Sequence, residues 1–379
     1  MSAKVALLAR ARAALLTWYR VHQRDLPWRR TRDPYAIWIS EAMLQQTRVE
    51  TVIPYYQRFL ERFPDVGTLA RASVADIYAA WAGLGYYSRA RNVHRAARAI
   101  VERFGGQLPS TREELLELPG VGRYTAGAVA SIAFDRPVPV LDGNVERVLA
   151  RYLGVRKDVR SASVAAALWG AAADLVVGPE PGTLNQALME LGATLCRPRA
   201  PFCSGCPLRK DCSACRQGDA DSLPKKAERT KPRGMRAVAA LVRRGPRVLA
   251  IRRPPGGLLG GLWELPGGAL KQGETPVAGL RRAIREQTGL ELGDVEAAGS
   301  VEHRFTHRHL RLELFRCAQS CGRLRLREPE AYRWITPPAF RRLAQGALTR
   351  KAFAHVLGSR VDPSRLRATS SPVLGAGAR

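Results

Sequence analysis

The spacing of apolar residues changes once along this 379-residue chain, and that change constrains the fold more than any other feature. Up to about residue 215 the apolar residues recur at helical spacing, with Gly and Pro between segments. The predicted helices include 37–63, 74–81, 90–104, 112–118, 125–134, 145–153, 164–177 and 183–196. From Met235 onward strand alternation appears at 237–243, 247–251, 308–315 and 332–335, with one helix at 276–288. The pattern predicts an all-α domain followed by an α+β domain.

The segment between the two halves is polar and almost free of large apolar residues, which is typical of a linker. The end of the chain is rich in Ser, Pro, Gly and Ala, a composition that favours disorder. We therefore predict a helical domain at 1–215, an interdomain linker at 216–234, a second domain at 235–357 and a disordered tail at 358–379.

The chain carries 61 Lys and Arg against 33 Asp and Glu, a net charge of +28. Such an excess favours a polyanionic partner, above all nucleic acid, although a bias towards Arg can also reflect codon usage. No apolar run approaches the roughly 20 residues of a membrane span. Residues 1–22 are rich in Arg and free of acids, as in a transit peptide, but their apolar spacing favours an amphipathic helix. We expect a cytoplasmic protein associated with DNA.

Two carboxylates lie in motifs that suggest chemistry: Glu41 in Trp-Ile-Ser-Glu-Ala-Met-Leu-Gln-Gln-Thr, and Asp142 in Val-Leu-Asp-Gly-Asn-Val. Cleaving a bond at a sugar carbon commonly requires one protonated and one ionised carboxyl group. The apolar neighbours of Glu41 would raise its pKa, although Glu on a helix is usually solvated. Asp142 could also be a helix N-cap, and a cap would hold its carboxylate rigidly.

A Leu-Pro-Gly-Val-Gly turn at 118–122 precedes a predicted helix. Its two glycines let backbone N–H groups approach a phosphate, and the helix N-terminus adds a positive dipole. The alternative is an ordinary glycine-rich connection between helices. With the basic charge, the turn favours binding to a DNA backbone.

Four cysteines are spaced C-x6-C-x2-C-x5-C, and they are Cys196, Cys203, Cys206 and Cys212. Clustered cysteines without a secretory signal favour a metal over disulfides. Four thiolates so close together suit one tetrahedral ion or one cluster, and spacing alone does not separate zinc from iron–sulfur.

Glu41, Asp142 and the 118–122 turn together resemble the MutY family of adenine-specific DNA glycosylases, and the resemblance covers about residues 10–357. It implies a multidomain fold: an all-α helix-hairpin-helix glycosylase domain with an iron–sulfur loop at 196–212, followed by an α+β Nudix-like domain. It also implies a monofunctional glycosylase of base-excision repair. Such an enzyme flips out and hydrolyses adenine mispaired with 8-oxoguanine or guanine, and so prevents G:C to T:A mutations.

The resemblance gives each catalytic residue a role. Glu41 is expected to protonate N7 of adenine, and Asp142 to stabilise the oxocarbenium sugar. Tyr124 stands where relatives that also cut the strand carry a Lys nucleophile, so it indicates base removal without a lyase step. Asn144 is expected to contact the sugar or orient Asp142.

The resemblance also implies contacts to DNA. Gln46 and Tyr86 are expected to wedge into the duplex, with core packing as the alternative. The residues predicted to bind DNA are Gln46, Thr47, Tyr86, Leu118, Gly120 and Gly122. Arg29 and Gln186 align with positions that line the base pocket.

The cysteine spacing matches the [4Fe–4S] loop of this superfamily, so the expected cofactor is a [4Fe–4S] cluster held by Cys196, Cys203, Cys206 and Cys212. Cys215 lies just beyond the motif and could compete with Cys212 as a ligand.

Residues 267–290 resemble a Nudix box in which Ala283 and Gln287 replace two of the expected Glu, leaving Glu286. A magnesium ion on a pyrophosphate needs several oxygen ligands, so we expect that the hydrolase is lost. The resemblance gives this domain the recognition of 8-oxoguanine by Phe305, Thr306 and His307, where the family usually has Phe-Ser-His.

The expected partner is double-stranded DNA containing A:8-oxoguanine or A:G mispairs, bound by a monomer, with no membrane. Contacts to replication or repair proteins, if present, are expected at the linker. Three rival readings remain: a bifunctional pyrimidine-lesion glycosylase, a Nudix hydrolase fused to a DNA-binding module, and a non-catalytic iron–sulfur DNA-binding protein. Tyr124, the altered Nudix box and the pair of carboxylates argue against them in that order.

Overall fold

A computed structural model describes residues 3–227, 233–256, 259–305, 308–318 and 320–358. The chain divides into two compact units, Met1–Thr230 and Lys231–Arg379. The first unit is helical, and the second is built on a β-sheet with helices, as the sequence predicts.

The helical unit contains twelve α-helices in its described part. They are α1 (Ala3–His22), α2 (Pro34–Leu44), α3 (Val49–Arg62), α4 (Val66–Arg71), α5 (Val74–Trp81), α6 (Tyr87–Phe104), α7 (Arg112–Leu116), α8 (Arg123–Phe134), α9 (Gly143–Leu153), α10 (Ala162–Val176), α11 (Pro181–Thr194) and α12 (Ser213–Gln217). Side-chain caps begin several of them, for example Asp33 at α2, Ser73 at α5 and Asp142 at α9.

One core cluster of this unit joins α1, α9, α10 and α11 around residues such as Leu15, Leu149 and Leu188. On the other side, Trp81 packs edge-on against Phe59 and both are fully buried. The N-terminal segment is therefore a helix with a buried face, as its amphipathic spacing predicts.

Two sequence expectations differ from the structure here. The predicted helix at 37–63 is two helices, because the chain breaks at Gln45–Arg48 with Gln46 in the left-handed region. The predicted linker at 216–234 is shorter, since Ala220 and Leu223 pack with Ala214 into a small core. The Arg151 side chain also donates to the Leu223 carbonyl at 3.0 Å. A few small apolar residues are therefore enough to hold a polar segment against the domain when they pack against buried residues.

The second unit is a mixed sheet with helices on both faces. Its strands are β1 (Arg233–Arg244), β2 (Arg247–Arg252), β3 (Trp263–Glu264), β4 (Gly267–Ala269), β5 (Glu291–Leu292), β6 (Val295–Phe305), β7 (Arg308–Cys317), β8 (Ser320–Cys321) and β9 (Ala331–Ile335). The order β3-β2-β1-β7-β6 runs across the sheet, β4 also pairs with β1, β9 pairs with β2, and β5 pairs with β8 separately. β1 and β7 are parallel.

Helix α13 (Pro276–Thr288) covers one face through Leu280 and Ile284, and α14 (Pro337–Arg342) and α15 (Ala347–Gly358) cover the other. The bounds of α13 match the sequence prediction, because Thr275 caps it and Gly289 ends it. Strand β6 was not predicted, since its sequence lacks alternation and carries a bulge between Ala297 and Ser300. The short strands and the last two helices were also missed.

Candidate active site and DNA-binding surface

A cavity of about 500 Å³ in the helical unit contains the residues singled out for chemistry. Glu41 comes from α2, Tyr124 from the first turn of α8, and Asp142 immediately precedes α9. Its wall also includes Arg29, Gln46, Thr47, Asn144 and Gln186. Residues far apart in sequence therefore share one concave site.

Glu41 is an almost fully buried carboxyl group with a neutral partner. It is 5% exposed, and its Oε2 accepts a hydrogen bond of 2.8 Å from the Tyr124 hydroxyl. Burial raises the pKa of Glu41 to about 7, with a further contribution from Asp142, whereas the Tyr124 hydrogen bond and Arg29 oppose the rise. A group with this pKa can hold a proton near neutral pH and deliver it to a bound base.

Tyr124 connects Glu41 with α11. Its hydroxyl lies 2.8 Å from Glu41 Oε2 and 3.1 Å from the Met189 sulfur. Burial raises the pKa of Tyr124 well above its ordinary value, and the negative charges of Glu41 and Asp142 act in the same direction. The phenol therefore stays protonated and offers a donor, but no amine, to this side of the cavity.

Asp142 is the N-cap of α9 as well as a cavity residue. Its Oδ1 accepts from the backbone N–H groups of Asn144 at 3.0 Å and Val145 at 2.7 Å, and its Oδ2 accepts from Asn144 Nδ2 at 2.9 Å. Burial raises the pKa of Asp142, while these hydrogen bonds favour the carboxylate and limit the rise. Three donors against the single donor at Glu41 make Asp142 the better placed of the two to carry the negative charge.

Arg147 fixes the other side of Asn144, a contact that the sequence did not reveal. Its Nη2 donates to Asn144 Oδ1 at 2.9 Å and to the Gly192 carbonyl at 2.8 Å, and its Nε donates to the Cys196 carbonyl at 2.7 Å. Asn144 thus orients Asp142 and is itself held by a residue that contacts the cysteine loop.

A buried ion-pair group forms another part of the site. Glu190 has no exposed side-chain surface, and it accepts from Arg24 Nε at 2.8 Å and Arg29 Nη2 at 2.7 Å. Burial acts to raise the pKa of Glu190, but the hydrogen bonds from Arg24 and Arg29 outweigh it and lower the pKa to about 2. Gln186 accepts from the Tyr19 hydroxyl at 3.3 Å. Sequence reasoning placed Arg29 and Gln186 at the pocket but missed Arg24 and Glu190.

Gln46 and Tyr86 both adopt left-handed backbone conformations, with φ of +58° and +48°. Gln46 is exposed at the cavity wall, and Tyr86 is 46% exposed. Non-glycine residues held in this region are strained and tend to mark functional positions. Thr47 is half-buried, and its hydroxyl accepts a hydrogen bond from Arg89 at 3.0 Å.

The 118–122 turn presents its glycines and hides its leucine. Gly120 and Gly122 are exposed, whereas the Leu118 side chain is 2% exposed. Gly120 has a φ of +80°, and a Cβ there would lie 2.5 Å from the Asn92 Cβ. Only glycine fits that position. The Leu118 side chain is buried and anchors the turn from within, so any contact of Leu118 with DNA would involve its backbone, and its role in DNA binding stays a prediction.

The four cysteines of the 196–212 loop line one small cavity together with Cys215. Arg151 is 2% exposed, and its Nη1 lies 3.3 Å from the Cys196 sulfur. Cys215 hydrogen-bonds the Cys203 thiol, and its backbone N–H donates to Cys212. Within the described ranges no three His, Cys, Asp or Glu side chains surround a single metal position.

In the second unit, the remaining carboxylate of the altered Nudix box is neutralised. Glu286 accepts from Arg282 at 2.9 Å, and Arg282 also contacts Glu274 at 2.7 Å. Ala283 is buried, and Gln287 accepts from the Gly267 N–H at 3.1 Å. The two departures from the Nudix pattern therefore serve packing and a backbone contact.

Of the three residues predicted to read 8-oxoguanine, Phe305 is among the described residues. Phe305 is the last residue of β6, and its ring lies edge-on to His303 at 4.5 Å between centroids. Thr306 and His307 lie outside the described residues.

Among the helices that the structure describes, none has the length and apolarity to cross a bilayer.

Comparisons with known proteins agree with this arrangement. Residues 39–173 match the family described as HhH-GPD superfamily base excision DNA repair protein, and residues 237–355 match a NUDIX domain. The chain is 36% identical to the adenine DNA glycosylase of Homo sapiens over 92% of this chain and 74% of that protein. For the same enzyme of Mus musculus the identity is 38%, over 90% and 77%.

Among solved structures, a thermostable thymine-DNA glycosylase is similar to 57% of this chain over 100% of its own length, with a TM-score of 0.52 and 32% identity. The chain therefore belongs to the MutY family of adenine DNA glycosylases, base-excision repair enzymes in which a helix-hairpin-helix glycosylase domain is followed by a Nudix-like domain.

Proposed function

We propose that this glycosylase hydrolyses the bond between adenine and deoxyribose where adenine is mispaired with 8-oxoguanine or guanine. The observation that carries the proposal is the hydrogen bond of 2.8 Å between Tyr124 and a buried Glu41 whose pKa is about 7, in the same cavity as the capped Asp142. Removing that adenine before the next replication prevents a G:C pair from becoming T:A.

The first step is extrusion of adenine from the duplex into the cavity. A base inside the stack cannot reach a buried acid, so the enzyme must flip it out. The cavity of about 500 Å³ lies within the range of small-molecule sites, and Arg29 and Gln186 contribute polar groups to its wall. These groups are suited to orienting the purine edge.

Glu41 then donates its proton to N7 of adenine. The bond from the sugar carbon to N9 breaks, and its electron pair stays with the base, which leaves as a neutral molecule. Protonation of the leaving group is the role that a raised carboxyl pKa serves. The Tyr124 hydroxyl accompanies the reaction as a donor to the carboxylate that remains on Glu41.

Asp142 stabilises the cationic sugar that departure of the base creates. Its carboxylate is held by the α9 backbone and by Asn144, so it need not reorganise when the positive charge develops. Water adds to the sugar carbon as hydroxide, and the ionised Glu41 accepts the released proton. The product is an abasic site, and the acid is ready for another cycle.

Gln46, Thr47 and Tyr86 are proposed to enter or flank the duplex. The strained backbones and exposed side chains of Gln46 and Tyr86 support this role. Gly120 and Gly122 are exposed residues at the N-terminus of α8, a position whose backbone and helix dipole suit a phosphate.

A [4Fe–4S] cluster is the cofactor that the cysteine donor set fits best. The four thiols line one cavity beside the buried Arg151, and their spacing matches the [4Fe–4S] loop of the superfamily that the sequence resembles. Cys196, Cys203, Cys206 and Cys212 would hold the cluster, which stabilises the loop and supplies no electrons to hydrolysis. Through the Cys196 carbonyl, the loop would brace Arg147.

Iron analysis tests this part of the proposal. We expect about four irons per chain and a brown protein, and Cys203→Ser should lower the iron content far more than Cys215→Ser. Stoichiometric zinc without iron after anaerobic purification would contradict it.

The Nudix-like domain is proposed to read 8-oxoguanine through Phe305, Thr306 and His307. Glu286, the remaining carboxylate of the altered Nudix box, is paired with Arg282, so this site has too few free oxygen ligands to bind magnesium. This supports a role of the domain in recognition rather than in hydrolysis. One lost hydrogen bond that singles out the oxidised base should cost about 1–3 kcal/mol, roughly tenfold to a hundredfold in discrimination.

The decisive experiment uses duplexes with A opposite 8-oxoguanine, A opposite G, and a pyrimidine lesion, with abasic sites scored with and without alkali. We expect excision of adenine from the first two, strand cleavage only after alkali, and no action on the third. Thr306→Ala should reduce the preference for 8-oxoguanine, and Thr306→Ser should not. Equal losses on both mispairs would show that the domain adds only nonspecific affinity.

A further inference from the structure

Arg89 is a buried cation that no catalytic role accounts for. It lies in the first turn of α6 and is 8% exposed. Its guanidinium is within hydrogen-bonding distance of six acceptors from two separate segments of the chain. Burying an Arg side chain costs free energy unless its N–H groups are hydrogen-bonded, so this set of contacts suggests a specific role for Arg89.

The two terminal nitrogens of Arg89 bind different segments of the chain. Nη1 donates to the carbonyls of Ala42, Met43 and Gln45, at 3.1, 2.6 and 2.6 Å, which are orphan acceptors at the C-terminus of α2. A cation there also matches the negative end of the helix dipole.

Nη2 donates to Thr47 Oγ1 at 3.0 Å and to the carbonyls of Leu84 and Gly85 at 3.1 and 3.3 Å. One planar group therefore bridges residues 45–47 and residues 84–86, which we call the two wedge segments. The guanidinium carbon also lies 5.4 Å from the centre of the Tyr86 ring.

Each wedge segment holds one strained, exposed residue, and Arg89 contacts the residues beside it. Gln46, with φ of +58°, lies between the two acceptors Gln45 and Thr47. Tyr86, with φ of +48°, directly follows the acceptor Gly85. Left-handed backbone at a non-glycine residue is strained, so neighbouring contacts must hold it in place.

We propose that Arg89 is a positioning residue that couples the two wedge segments, so that Gln46 and Tyr86 act on the duplex as one rigid unit while adenine is extruded. This inference rests on the proposed wedge role of Gln46 and Tyr86. It assigns to Arg89 the extrusion step, and it leaves proton transfer to Glu41.

The geometry of the fork, rather than the charge, carries this role. A Lys ammonium is compact and cannot serve acceptors on both segments in one plane. Arg89→Lys keeps the positive charge but loses the hydrogen bonds that join the two wedge segments. Arg89→Met keeps much of the apolar stem and loses both the charge and these hydrogen bonds. Arg98→Met, on the same helix and 61% exposed, is the matched control.

The test measures extrusion without chemistry. In an Asp142→Asn background, 2-aminopurine placed beside the target adenine reports unstacking in stopped-flow fluorescence. We expect Arg89→Lys and Arg89→Met to slow this step by about tenfold to a hundredfold, as displaced positioning groups commonly do, and Arg98→Met to leave it unchanged.

In the active enzyme, the same variants should lose less on adenine opposite an abasic analogue, where no pairing opposes extrusion. Equal losses on paired and unpaired adenine would indicate general misfolding and overturn the inference. If Arg89→Met does not fold, as judged by thermal melting, Arg89→Lys carries the comparison.

Failure of the inference can be separated from failure of the wedge proposal. If Tyr86→Ala and Gln46→Ala leave the fluorescence step unchanged, the wedge role itself is wrong. If they slow it while both Arg89 variants keep the full rate, only the coupling is wrong. If the inference holds, Arg89→Met combined with Tyr86→Ala should be little slower than the slower single variant.

Discussion

The helical unit and the Nudix-like unit each hold a carboxylate in a motif associated with hydrolysis, and they treat its charge in opposite ways. Glu41 is buried beside a neutral phenol, and its pKa rises to about 7 because of burial. Glu286 is half-exposed and paired with Arg282, which also lowers the pKa of Glu274 to about 2 by hydrogen bonding. A carboxyl group can work as an acid where burial outweighs the effect of nearby cations, and it becomes a structural anion where a cation pairs with it directly.

The largest expected effect is the loss of activity when the helical-unit carboxylates are changed. Glu41→Gln and Asp142→Asn should each reduce single-turnover excision of adenine by roughly a thousandfold or more, since each removes a separate requirement of the reaction. Duplex binding should persist. The matched control is Glu286→Gln, which should retain near-normal excision. A large loss of excision in Glu286→Gln, or normal turnover in Glu41→Gln or Asp142→Asn, would contradict the assignment of catalysis to the helical-unit carboxylates.

Tyr124→Lys places a cation next to Glu41, so the environment of Glu41 comes to resemble that of Glu286, which is paired with Arg282. A neighbouring cation lowers a carboxyl pKa by about 1–3, so excision near neutral pH should fall roughly tenfold to a hundredfold. The new amine should also form an adduct with the sugar that borohydride traps. Tyr124→Phe is the control: it removes the hydrogen bond to Glu41 without adding a cation or an amine, so we expect a smaller loss of excision than in Tyr124→Lys and no trapping. Comparable trapping in the unchanged enzyme would refute the role of Tyr124.

The pH dependence of excision should reflect the two cavity carboxyl groups. The pKa of Glu41 is about 7, so the protonated acid and the rate should fall about tenfold per pH unit above that value. Burial raises the pKa of Asp142, so the acidic limb should lie above the ordinary range of an Asp. Single-turnover rates between pH 5 and 9 test both limbs. Glu286→Gln should leave the profile unchanged, and an alkaline limb that persists in Glu41→Gln would assign it to another group.

The smallest expected effect concerns stability. The folded state raises the pKa of Glu41 from 4.5 to about 7, so the fold loses stability as pH rises through this window. Gln does not titrate, and Glu41→Gln should therefore unfold with a free energy about 2–3 kcal/mol higher at pH 8, with little difference near pH 4.5. Denaturant titration at both pH values measures this. For Glu286→Gln, a surface ion pair, we expect a change within about 1 kcal/mol at either pH.

Local signals in the sequence accounted for much of the fold. The bounds of α5 and α13 follow from caps and apolar spacing that a short window contains. Strand β6 was missed because the bulge between Ala297 and Ser300 and its polar residues hide the strand alternation, although its partner β7 follows directly in the sequence. The break between α2 and α3 was missed because the buried Arg89, which stabilises it, is distant in sequence. Propensity is decided locally, whereas bulged strands and strained turns depend on tertiary packing.

The same division holds for the site. The sequence by itself determined which carboxyl groups are present, that Tyr124 cannot form an imine, and that four cysteines lie within one short loop. Arg24, Arg147 and Glu190 gave no signal, because a single Arg is inconspicuous in so basic a chain and the partners are far away in sequence.

The sequence predicted the acid role of Glu41 from its apolar neighbours and from the family resemblance, but only the tertiary structure supplied the physical cause that separates Glu41 from Asp142. Unperturbed Glu and Asp side chains would both be ionised at neutral pH. Burial of Glu41 against one phenol, and of Asp142 against three N–H donors, separates them. The charge state of a buried group is set by the solvent it has lost and the donors it has gained, and both are fixed only when distant helices pack.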